Sequence, residues 1–504
     1  MKNTSFFKKN ISHFIVLSLI LIYFSFIISL IFPARHVDPD FFQFLEHSEY
    51  YLQFKLPPFI QSLPANPILL GTFYRLFSGV ISEIEIALWI NAVSIVGAIY
   101  LMYVLLRKNT NQLIATLVSI FLITHPIIYN TAISNNSEAL FTFFLMCLFL
   151  LIKNKKYYFA AILAAIGVFI RHESVFIFGS FLLTDFLEKR NFKLSLKYLL
   201  LFSILALPLL YIILTTNSQG TIADAPFLVE VVERIEDVPE LRFFTHFPFS
   251  LLYIPGFLLS GQSIWYEIFG FLFWSTFFIK VVPRISKNKL ALIALIFTFS
   301  YMVFHACFPA YLERYLVPII FSFSLVLSLF VKNLTDSQKK VSLIIFILVI
   351  LNNVWIIFPW WNKAKLMSLS SDYYAAQSIL ENTRNDGEYT ILTPYPETLA
   401  YYYRDHSNIK LLSVLEIKKL TNCDDLYCAT EKYSNESDSQ IIMLYTSIYK
   451  WGMTGDYDSS LRRWYDDIGF YELGDFVFSE KSCLWYKNQW EGEYVTLEAY
   501  RICE

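Results

Sequence analysis

Charged residues are scarce in this sequence, and apolar residues are abundant. Asp, Glu, Lys and Arg make up 16% of its 504 residues, against roughly 25% in ordinary soluble domains. Hydrophobic residues reach 56%, and 49 of them are phenylalanine. No soluble core could bury so much apolar surface, so we expect lipid to be the solvent for much of the chain. The formal net charge of −2 gives no argument for a nucleic-acid partner.

Glycine is also scarce, at 15 residues, and the motifs of soluble enzymes are missing. The sequence holds no Gly-x-Ser-x-Gly nucleophile motif, no phosphate-binding glycine loop and no His-Glu-x-x-His zinc motif. No soluble-enzyme class therefore competes with a function in the membrane.

The six cysteines are too few for a fold that depends on disulfides. Cys147 and Cys307 lie in apolar segments. The other four lie near the polar C-terminal end, and one or two disulfides are expected there if that end is extracytoplasmic: Cys423, Cys428, Cys483 and Cys503.

Apolar runs long enough to cross a bilayer recur over most of the chain. A bilayer core about 30 Å thick needs roughly 20 apolar residues in a helix. The first run, Phe14 to Phe32, is longer than the core of a signal peptide and lacks a good cleavage site, so we interpret it as a retained transmembrane helix. The fifth and sixth runs are short, and they fit either two crossings or one re-entrant hairpin. The pattern predicts a mainly α, polytopic membrane protein with about eleven transmembrane helices, near 14–34, 84–106, 112–130, 137–152, 157–170, 174–187, 195–215, 262–281, 289–307, 313–331 and 341–360.

Basic residues occupy every second connection between these runs. Short cytoplasmic loops collect Lys and Arg, so the alternation predicts a cytoplasmic N-terminus. The basic connections are then Arg107–Lys108, Lys153–Lys156, Lys189–Lys197, Lys280–Lys289 and Lys332–Lys340. Three polar regions fall on the outer side: 35–83, 216–261 and 362–504.

We therefore expect two domains. The first is a transmembrane domain over residues 1–361, which includes the outer loops 35–83 and 216–261. The second is an extracytoplasmic soluble domain over residues 362–504. In it, Tyr389–Leu392 and Ile441–Leu444 fit strands and Pro396–Arg404 fits a helix, an alternation that predicts a small α/β domain.

Ionisable residues at the outer ends of these runs are the candidates for chemistry. Such groups cost about 2.5–3.5 kcal/mol each at a helix centre, so near a membrane they are functional candidates by default. Separate parts of the chain bring them to the outer face: Asp38, Asp40, Glu138, Arg171, His172, Glu173, Glu313, Arg314 and Tyr315. Two of these, Arg171 and Arg314, run against the positive-inside bias.

Each candidate also has a structural explanation. Asp38 and Asp40 can simply end a helix in water, and Glu138 can occupy a first helical turn that the helix dipole favours. Arg171 can pair with Glu173 in a polar turn, and Arg314 can snorkel to the interface. Histidines near the membrane are expected to be packing or interfacial residues rather than ligands: His36, His47, His125, His246 and His305.

Taken together, these motifs resemble the GT-C superfamily of membrane glycosyltransferases, close in style to protein O-mannosyltransferases and aminoarabinose transferases. The resemblance rests on an acidic motif after the first helix, a proline-bearing return to the membrane, a second outer acid, an Arg-x-Glu element, an Arg-Tyr-x-x-Pro stretch and a soluble C-terminal domain. The residues that carry it are Asp38-Pro39-Asp40, Asn66-Pro67-Ile68-Leu69, Glu138, Arg171-His172-Glu173, Arg314-Tyr315 with Pro318, and 362–504. Many relatives have adjacent Asp and Glu in the first motif, whereas here a proline separates two aspartates.

The resemblance implies transfer of a sugar, with inversion, from a polyprenyl phosphate to an acceptor on the outer face. Asp38 or Asp40 would take the proton of the acceptor hydroxyl. Glu138, the third catalytic residue, would orient the acceptor or a base, or help to bind a metal. Arg171 and Arg314 would bind the donor phosphate. His172, Glu173 and Tyr315 would support these groups.

The partners implied are a polyprenyl-phosphate-linked sugar, membrane lipid, and a protein, lipid or glycan acceptor, with no nucleic acid. The implied location is the plasma (inner) membrane of a prokaryote. The sequence establishes no cofactor, and His36 with Asp38 and Asp40 forms a candidate site for Mg²⁺ or Mn²⁺. Competing functions are a lipid-linked sugar flippase, a glycan polymerase or ligase, and a non-catalytic scaffold. A flippase would place polar residues near the midplane and would show internal repeats, whereas these acids lie at the outer edge.

Overall fold

The chain folds into two compact units, which we describe separately. In the computed structural model the first unit comprises Met1–Phe32 and Phe44–Lys363, and the second comprises Pro33–Gln43 and Ala364–Glu504. The structure describes residues 2–31, 39–57, 63–189, 192–215, 277–285, 288–306, 313–367, 371–383, 387–393, 396–437, 439–446, 470–480, 482–490 and 495–502. The predicted outer loop 216–261, most of the predicted span 262–281, and His36, Asp38 and Cys503 lie outside these ranges.

The first unit is built from helices. They are α1 (Lys2–Ile31), α2 (Pro39–Leu52), α3 (Ala65–Phe77), α4 (Glu83–Asn109), α5 (Gln112–Ile123), α6 (Pro126–Ala132), α7 (Glu138–Lys153), α8 (Tyr157–Val168), α9 (Ser174–Lys189), α10 (Phe192–Thr215), α11 (Val282–Ile285), α12 (Lys289–Ala306), α13 (Val317–Val331) and α14 (Asp336–Met367). A π-helical turn, Phe277–Val281, precedes α11, and a 3₁₀ turn, Glu313–Leu316, precedes α13. By the unit division above, the first residues of α2 belong to the second unit.

Within the described ranges, four helical stretches are long and apolar enough to cross a membrane: Glu83–Asn109, Ser195–Ile212, Arg314–Val331 and Asp336–Trp355. A bent pair, Gln112–Ile123 with Pro126–Ala132, would make a fifth. Shorter apolar helices cover His13–Ser29, Tyr157–Val168 and Lys289–His305. The mainly helical membrane class is thus confirmed, while the count of eleven spans stays a prediction.

The predicted span 112–130 is bent, because its sequence cannot continue one helix. Pro126 is the first residue of α6 and has no backbone N–H to give to the preceding turn. His125, directly before it, is extended with φ −80° and ψ 121°, as steric conflict with a following proline favours. The axes of α5 and α6 therefore differ by 64°.

Helix α4 shows how local sequence sets the bounds of a span. Ser82 caps its start by accepting from the Glu85 backbone N–H, while the Glu85 carboxylate accepts from the Ser82 backbone N–H. Arg107 and Lys108 lie in its last turn, where the helix dipole favours positive charge. The acidic cap lies at the other end of α4, on the predicted outer side.

The second unit contains one five-stranded sheet in the order β2-β1-β3-β5-β4. Its elements are α15 (Ser371–Asn382), β1 (Tyr389–Leu392), α16 (Pro396–Tyr403), β2 (Ile409–Leu412), α17 (Val414–Thr421), α18 (Leu426–Glu436), β3 (Gln440–Thr446), α19 (Phe470–Val477), β4 (Ser482–Trp490) and β5 (Val495–Ile502). Strand β1 pairs in parallel with β2 and β3, and β5 pairs antiparallel with β3 and β4. The strands predicted at Tyr389–Leu392 and Ile441–Leu444 and the helix from Pro396 are confirmed.

The apolar runs of β1 and β3 are explained by helices on both faces of the sheet. Ile391, Ile442 and Leu444 pack with α15 and α16 on one face. Ile441 and Met443 point to the other face and pack with α17, α18 and α19, because successive side chains of a strand alternate between faces. A strand covered on both sides reads as a continuous apolar run.

A disulfide joins Cys423, between α17 and α18, to Cys428 in the first turn of α18. Cys483 is disulfide-bonded as well. The prediction of one or two disulfides near this end is confirmed.

Candidate functional site

The site is organised by the turn Arg171–Glu173, which joins α8 to α9. The Arg171 backbone N–H donates to the Gly167 carbonyl, and the Ser174 backbone N–H donates to the Arg171 carbonyl. Ser174 Oγ also donates to the Ala164 carbonyl, 2.9 Å away. These bonds fix the backbone of the turn and leave the Arg171 and Glu173 side chains for other partners.

Arg171 is held by four side-chain hydrogen bonds. Its Nη1 donates to Glu138 Oε1 at 2.7 Å and to Ser137 Oγ at 3.1 Å. Its Nη2 and Nε donate to Glu173 Oε1 at 2.5 and 3.0 Å. The guanidinium thus ties the start of α7 to the start of α9.

A second group of side chains comes from α12 and the 3₁₀ turn before α13. Arg314 Nε lies 3.4 Å from Glu138 Oε1, and His305 Nε2 lies 3.3 Å from Glu173 Oε1. The Tyr315 ring stacks on His305 with 4.6 Å between centroids, and the Arg171 guanidinium carbon lies 5.1 Å from the Tyr315 centroid. Two arginines and two glutamates therefore meet in one cluster, with their formal charges balanced.

The cluster is buried, and burial decides its electrostatics. The Glu138 and Glu173 side chains are 1% and 0% exposed, and those of Arg171 and Arg314 are 12% and 20% exposed. Burial alone raises the pKa of Glu173, but Arg171, His172 and His305 lower it, and the net pKa lies well below the ordinary value. The Glu173 carboxylate consequently stays charged at neutral pH.

One oxygen of each glutamate remains open to a further donor. Glu138 Oε2 and Glu173 Oε2 are buried and have no hydrogen-bond partner among the residues that the structure describes. A buried carboxylate oxygen without a donor is costly, so a water molecule or a substrate hydroxyl is the expected partner. Arg314 is the more exposed of the two arginines and can meet an anion from outside the cluster.

The structure brings together six of the predicted site residues: Glu138, Arg171, His172, Glu173, Arg314 and Tyr315. The His172 side chain is half-exposed, with Nδ1 3.8 Å from Glu173 Oε2. Asp40 lies in the first turn of α2, and the description does not extend to its side chain or to Asp38 and His36. The roles of Asp38 and Asp40 stay predictions.

Three contributors were not predicted for the site: Ser137, Tyr301 and His305. His305 was interpreted as a packing residue, yet it contacts Glu173. Tyr301 and His305 are four residues apart on α12, and their ring centroids are 4.3 Å apart. That spacing places them on one helix face at the outer end of a predicted span, which was the available signal.

In the described part of the chain, no three His, Cys, Asp or Glu side chains form a group that could hold a metal ion. The candidate Mg²⁺ or Mn²⁺ site at His36, Asp38 and Asp40 lies at positions without described side chains. Within the cluster, Arg171 and Arg314 already neutralise both glutamates.

No family model matches the sequence, and no curated protein matches it. Solved structures do match. ArnT from Cupriavidus metallidurans bound to undecaprenyl phosphate aligns over 97% of this chain and 98% of its own, with TM-score 0.58 and 11% identity. The apo state of the same ArnT aligns over 96% and 97%, with TM-score 0.56 and 12% identity. An oligosaccharyltransferase from Archaeoglobus fulgidus, in complex with Zn and sulfate, aligns more loosely over 88% and 70%, with TM-score 0.48 and 13% identity.

At identities this low, the likeness to ArnT is one of fold. The alignment takes in nearly the whole of both chains. The chain therefore shares the fold of ArnT, and the resemblance predicted from its short motifs is confirmed as a resemblance of fold.

Proposed function

We propose that this protein transfers a sugar from a polyprenyl-phosphate donor to an acceptor at the outer face of a prokaryotic plasma membrane. The observation that carries the proposal is the buried cluster of Glu138, Arg171, Glu173 and Arg314. In it, Glu138 Oε2 has no hydrogen-bond partner among the described residues, and the Arg314 side chain is 20% exposed. The fold supports it, because ArnT with this fold was crystallised with undecaprenyl phosphate.

The two arginines take different roles in this proposal. Arg171 is engaged by Ser137, Glu138 and Glu173, so it orients Glu138. Arg314, more exposed and 3.4 Å from Glu138, binds the donor phosphate. This differs from the expectation that both arginines contact the phosphate.

The proposed reaction is a displacement at the anomeric carbon of the sugar. The acceptor hydroxyl gives its proton to Asp38 or Asp40, while Glu138 Oε2 accepts a hydrogen bond that orients the acceptor. The acceptor oxygen bonds to the anomeric carbon on the face opposite the phosphate, which gives inversion. The bond from that carbon to the phosphate oxygen breaks, and its electron pair leaves with the phosphate. The leaving group gains one negative charge, and Arg314 stabilises it.

The test is release of free polyprenyl phosphate by purified protein in detergent, with a panel of polyprenyl-phosphate sugars and acceptors. Arg314→Ala should raise KM for the donor and lower kcat/KM by about a hundredfold or more, because a charge-assisted phosphate contact is lost. Arg314→Lys should retain part of the activity. Asp38→Asn with Asp40→Asn should abolish transfer without weakening donor binding.

The matched control is Arg284→Ala, which removes an arginine that lies 5.9 Å from the Phe330 ring on the predicted cytoplasmic side. It should leave kcat/KM within about twofold of the wild type. If the Arg314→Ala protein released polyprenyl phosphate as efficiently as the wild type, that result would contradict the phosphate-binding role of Arg314. If lipid-linked sugar crossed vesicle membranes unaltered, and no sugar were transferred, the flippase alternative would replace this proposal.

A further inference from the structure

The hydrogen bonds of Arg171 place it inside a chain of protein groups. All four of its side-chain bonds end on Ser137, Glu138 or Glu173. Four of the five N–H donors of the guanidinium are therefore taken by protein groups. The position of Glu138 therefore depends on where Glu173 holds the guanidinium.

Glu173 in turn has a contact that reaches beyond Arg171. The oxygen that accepts both Arg171 bonds also lies 3.3 Å from His305 Nε2. Glu173 is completely buried, and His305 is only 7% exposed. At that distance the ring nitrogen contacts the carboxylate and can limit its displacement toward the guanidinium.

His305 is carried by a helix that is fastened at its other end. Lys289, the first residue of α12, forms ion pairs with Asp185 and with Glu188 Oε2, the latter at 2.8 Å. Asp185 and Glu188 lie near the end of α9, and Glu173 directly precedes the start of α9. Helices α9 and α12 are thus joined by ion pairs at one end and by the His305–Glu173 contact at the other.

Packing around α12 further restricts the His305 ring. Thr298 and Ser322 share a buried hydroxyl hydrogen bond of 2.7 Å between α12 and α13. The His305 ring is stacked against Tyr315 and lies 4.3 Å from the Tyr301 centroid. The imidazole therefore has a defined position, and its contact with Glu173 restricts where that carboxylate lies.

We infer that His305 is a positioning residue, which acts on Glu138 through Glu173 and Arg171 in the order His305, Glu173, Arg171, Glu138. The inference rests on the proposed function, since it assigns a role within the same site. His305 makes no contact with the donor phosphate in this scheme. Its loss should misplace Glu138 Oε2 relative to the acceptor, and so slow turnover more than it weakens donor binding.

Three variants of His305 separate the effect of its Nε2 atom on activity from the effect of its ring packing. His305→Phe keeps an aromatic ring against Tyr315 but removes Nε2, so kcat should fall about tenfold or more while KM for the donor changes less than about twofold. His305→Gln places an amide nitrogen near the position of Nε2 and should restore part of kcat. His305→Asn is too short to do so and should resemble His305→Phe. The control is His13→Phe, since His13 is also a ring-stacked histidine but packs on Tyr103 in α4.

A double-mutant cycle tests the path to Glu138. In the Glu138→Gln background, His305→Phe should lower kcat by less than about twofold, because its target is already changed. Independent, additive losses would overturn the inference, as would a change in donor KM equal to that of Arg314→Ala. Equal activity of the Phe and Gln variants would also overturn it, because packing alone would then explain the role.

A readout without turnover keeps this inference separate from the proposed function. The same cycle is measured by thermal unfolding in detergent, where His305→Phe and Glu138→Gln should lower Tm non-additively if the four groups form one chain. Wild-type protein that transfers no sugar would refute the proposed function, while the thermal cycle would still decide whether His305 is coupled to Glu138. Additive Tm shifts would refute the coupling even in an active enzyme.

Discussion

At the scale of single residues, His47 of α2 should make stability depend on pH. Its side chain is completely buried, and burial lowers the pKa of His47 from 6.5 to about 4. The unfolded chain therefore takes up a proton near pH 6.5, while the folded chain resists it until about pH 4. The resulting stability is fully present above the unfolded pKa and is lost as pH falls between those two values, by no more than about 3.4 kcal/mol.

Substitution His47→Phe should flatten this part of the profile, because the aromatic ring stays and the titrating group goes. Thermal unfolding in detergent, measured across that pH range, checks the slope. His406→Phe removes an exposed histidine of the second unit and should leave the slope in place. A slope that survives in the His47→Phe protein would mean that other groups produce it.

The order of basic loops along the chain predicts where the charged residues lie but not how they pair. The alternation of basic loops put Glu138, Arg171 and Arg314 on one face, since the positive-inside rule depends only on sequence order. It could not show that Arg171 contacts Glu138, because that contact depends on the packing of α7 against α8. The sequence alone indicates a packing role for His305 in an apolar helix. Its contact with Glu173 depends on the fold.

At the scale of elements, the contact between α8 and α9 depends on a glycine. A Cβ built on Gly167 would lie 2.5 Å from Ser174 Oγ and 3.2 Å from Ser174 Cβ. Ser174 is buried and hydrogen-bonded to Ala164, so it has little room to move. Gly167→Ala should therefore destabilise the protein, by about 1–3 kcal/mol as for other overpacked cores, and should lower transfer because the Arg171 turn begins there.

Ser174→Ala in the same chain should recover part of the loss, because it removes the closer of the two atoms. The comparison of Tm for the single and double variants measures this. Gly179→Ala is the control, since a Cβ there would meet nothing within 4 Å. A double variant less stable than Gly167→Ala alone would show that the clash lies elsewhere.

The elements themselves were predictable to different degrees. The strands β1 and β3 follow from short apolar runs bounded by polar residues, and α16 follows from its proline start. The break between α5 and α6 was missed, although His125-Pro126 is a signal for it, because hydropathy averages across a bend. The short runs 157–170 and 174–187 gave α8 and α9, and their sequence could not show whether the pair crosses the bilayer.

At the scale of the whole molecule, the acidic segment after α1 belongs with the second unit. Pro33–Gln43 groups with Ala364–Glu504, and Phe41 is completely buried, with its ring centroid 6.4 Å from that of Tyr401. The domain bounds predicted from hydropathy, with 35–83 in the membrane domain, stay a prediction. Hydropathy reports only the local solvent, so it could not show that Phe41 lies beside Tyr401.

The orientation of the molecule in its membrane is the remaining prediction, and it follows from charge. If Lys and Arg mark cytoplasmic loops, the loop after α7 is inside and the loop after α16 is outside. The substitutions Lys155→Cys and Asp405→Cys place single thiols at exposed positions in these loops. In intact cells a membrane-impermeant maleimide should label the Asp405→Cys chain, and should label the Lys155→Cys chain only after permeabilisation. The parent chain, whose Cys147 is partly buried in α7, sets the background. If the Lys155→Cys chain were labelled in intact cells and the Asp405→Cys chain only after permeabilisation, the cluster around Arg314 would lie on the cytoplasmic side. A donor presented at the outer face could not reach it there.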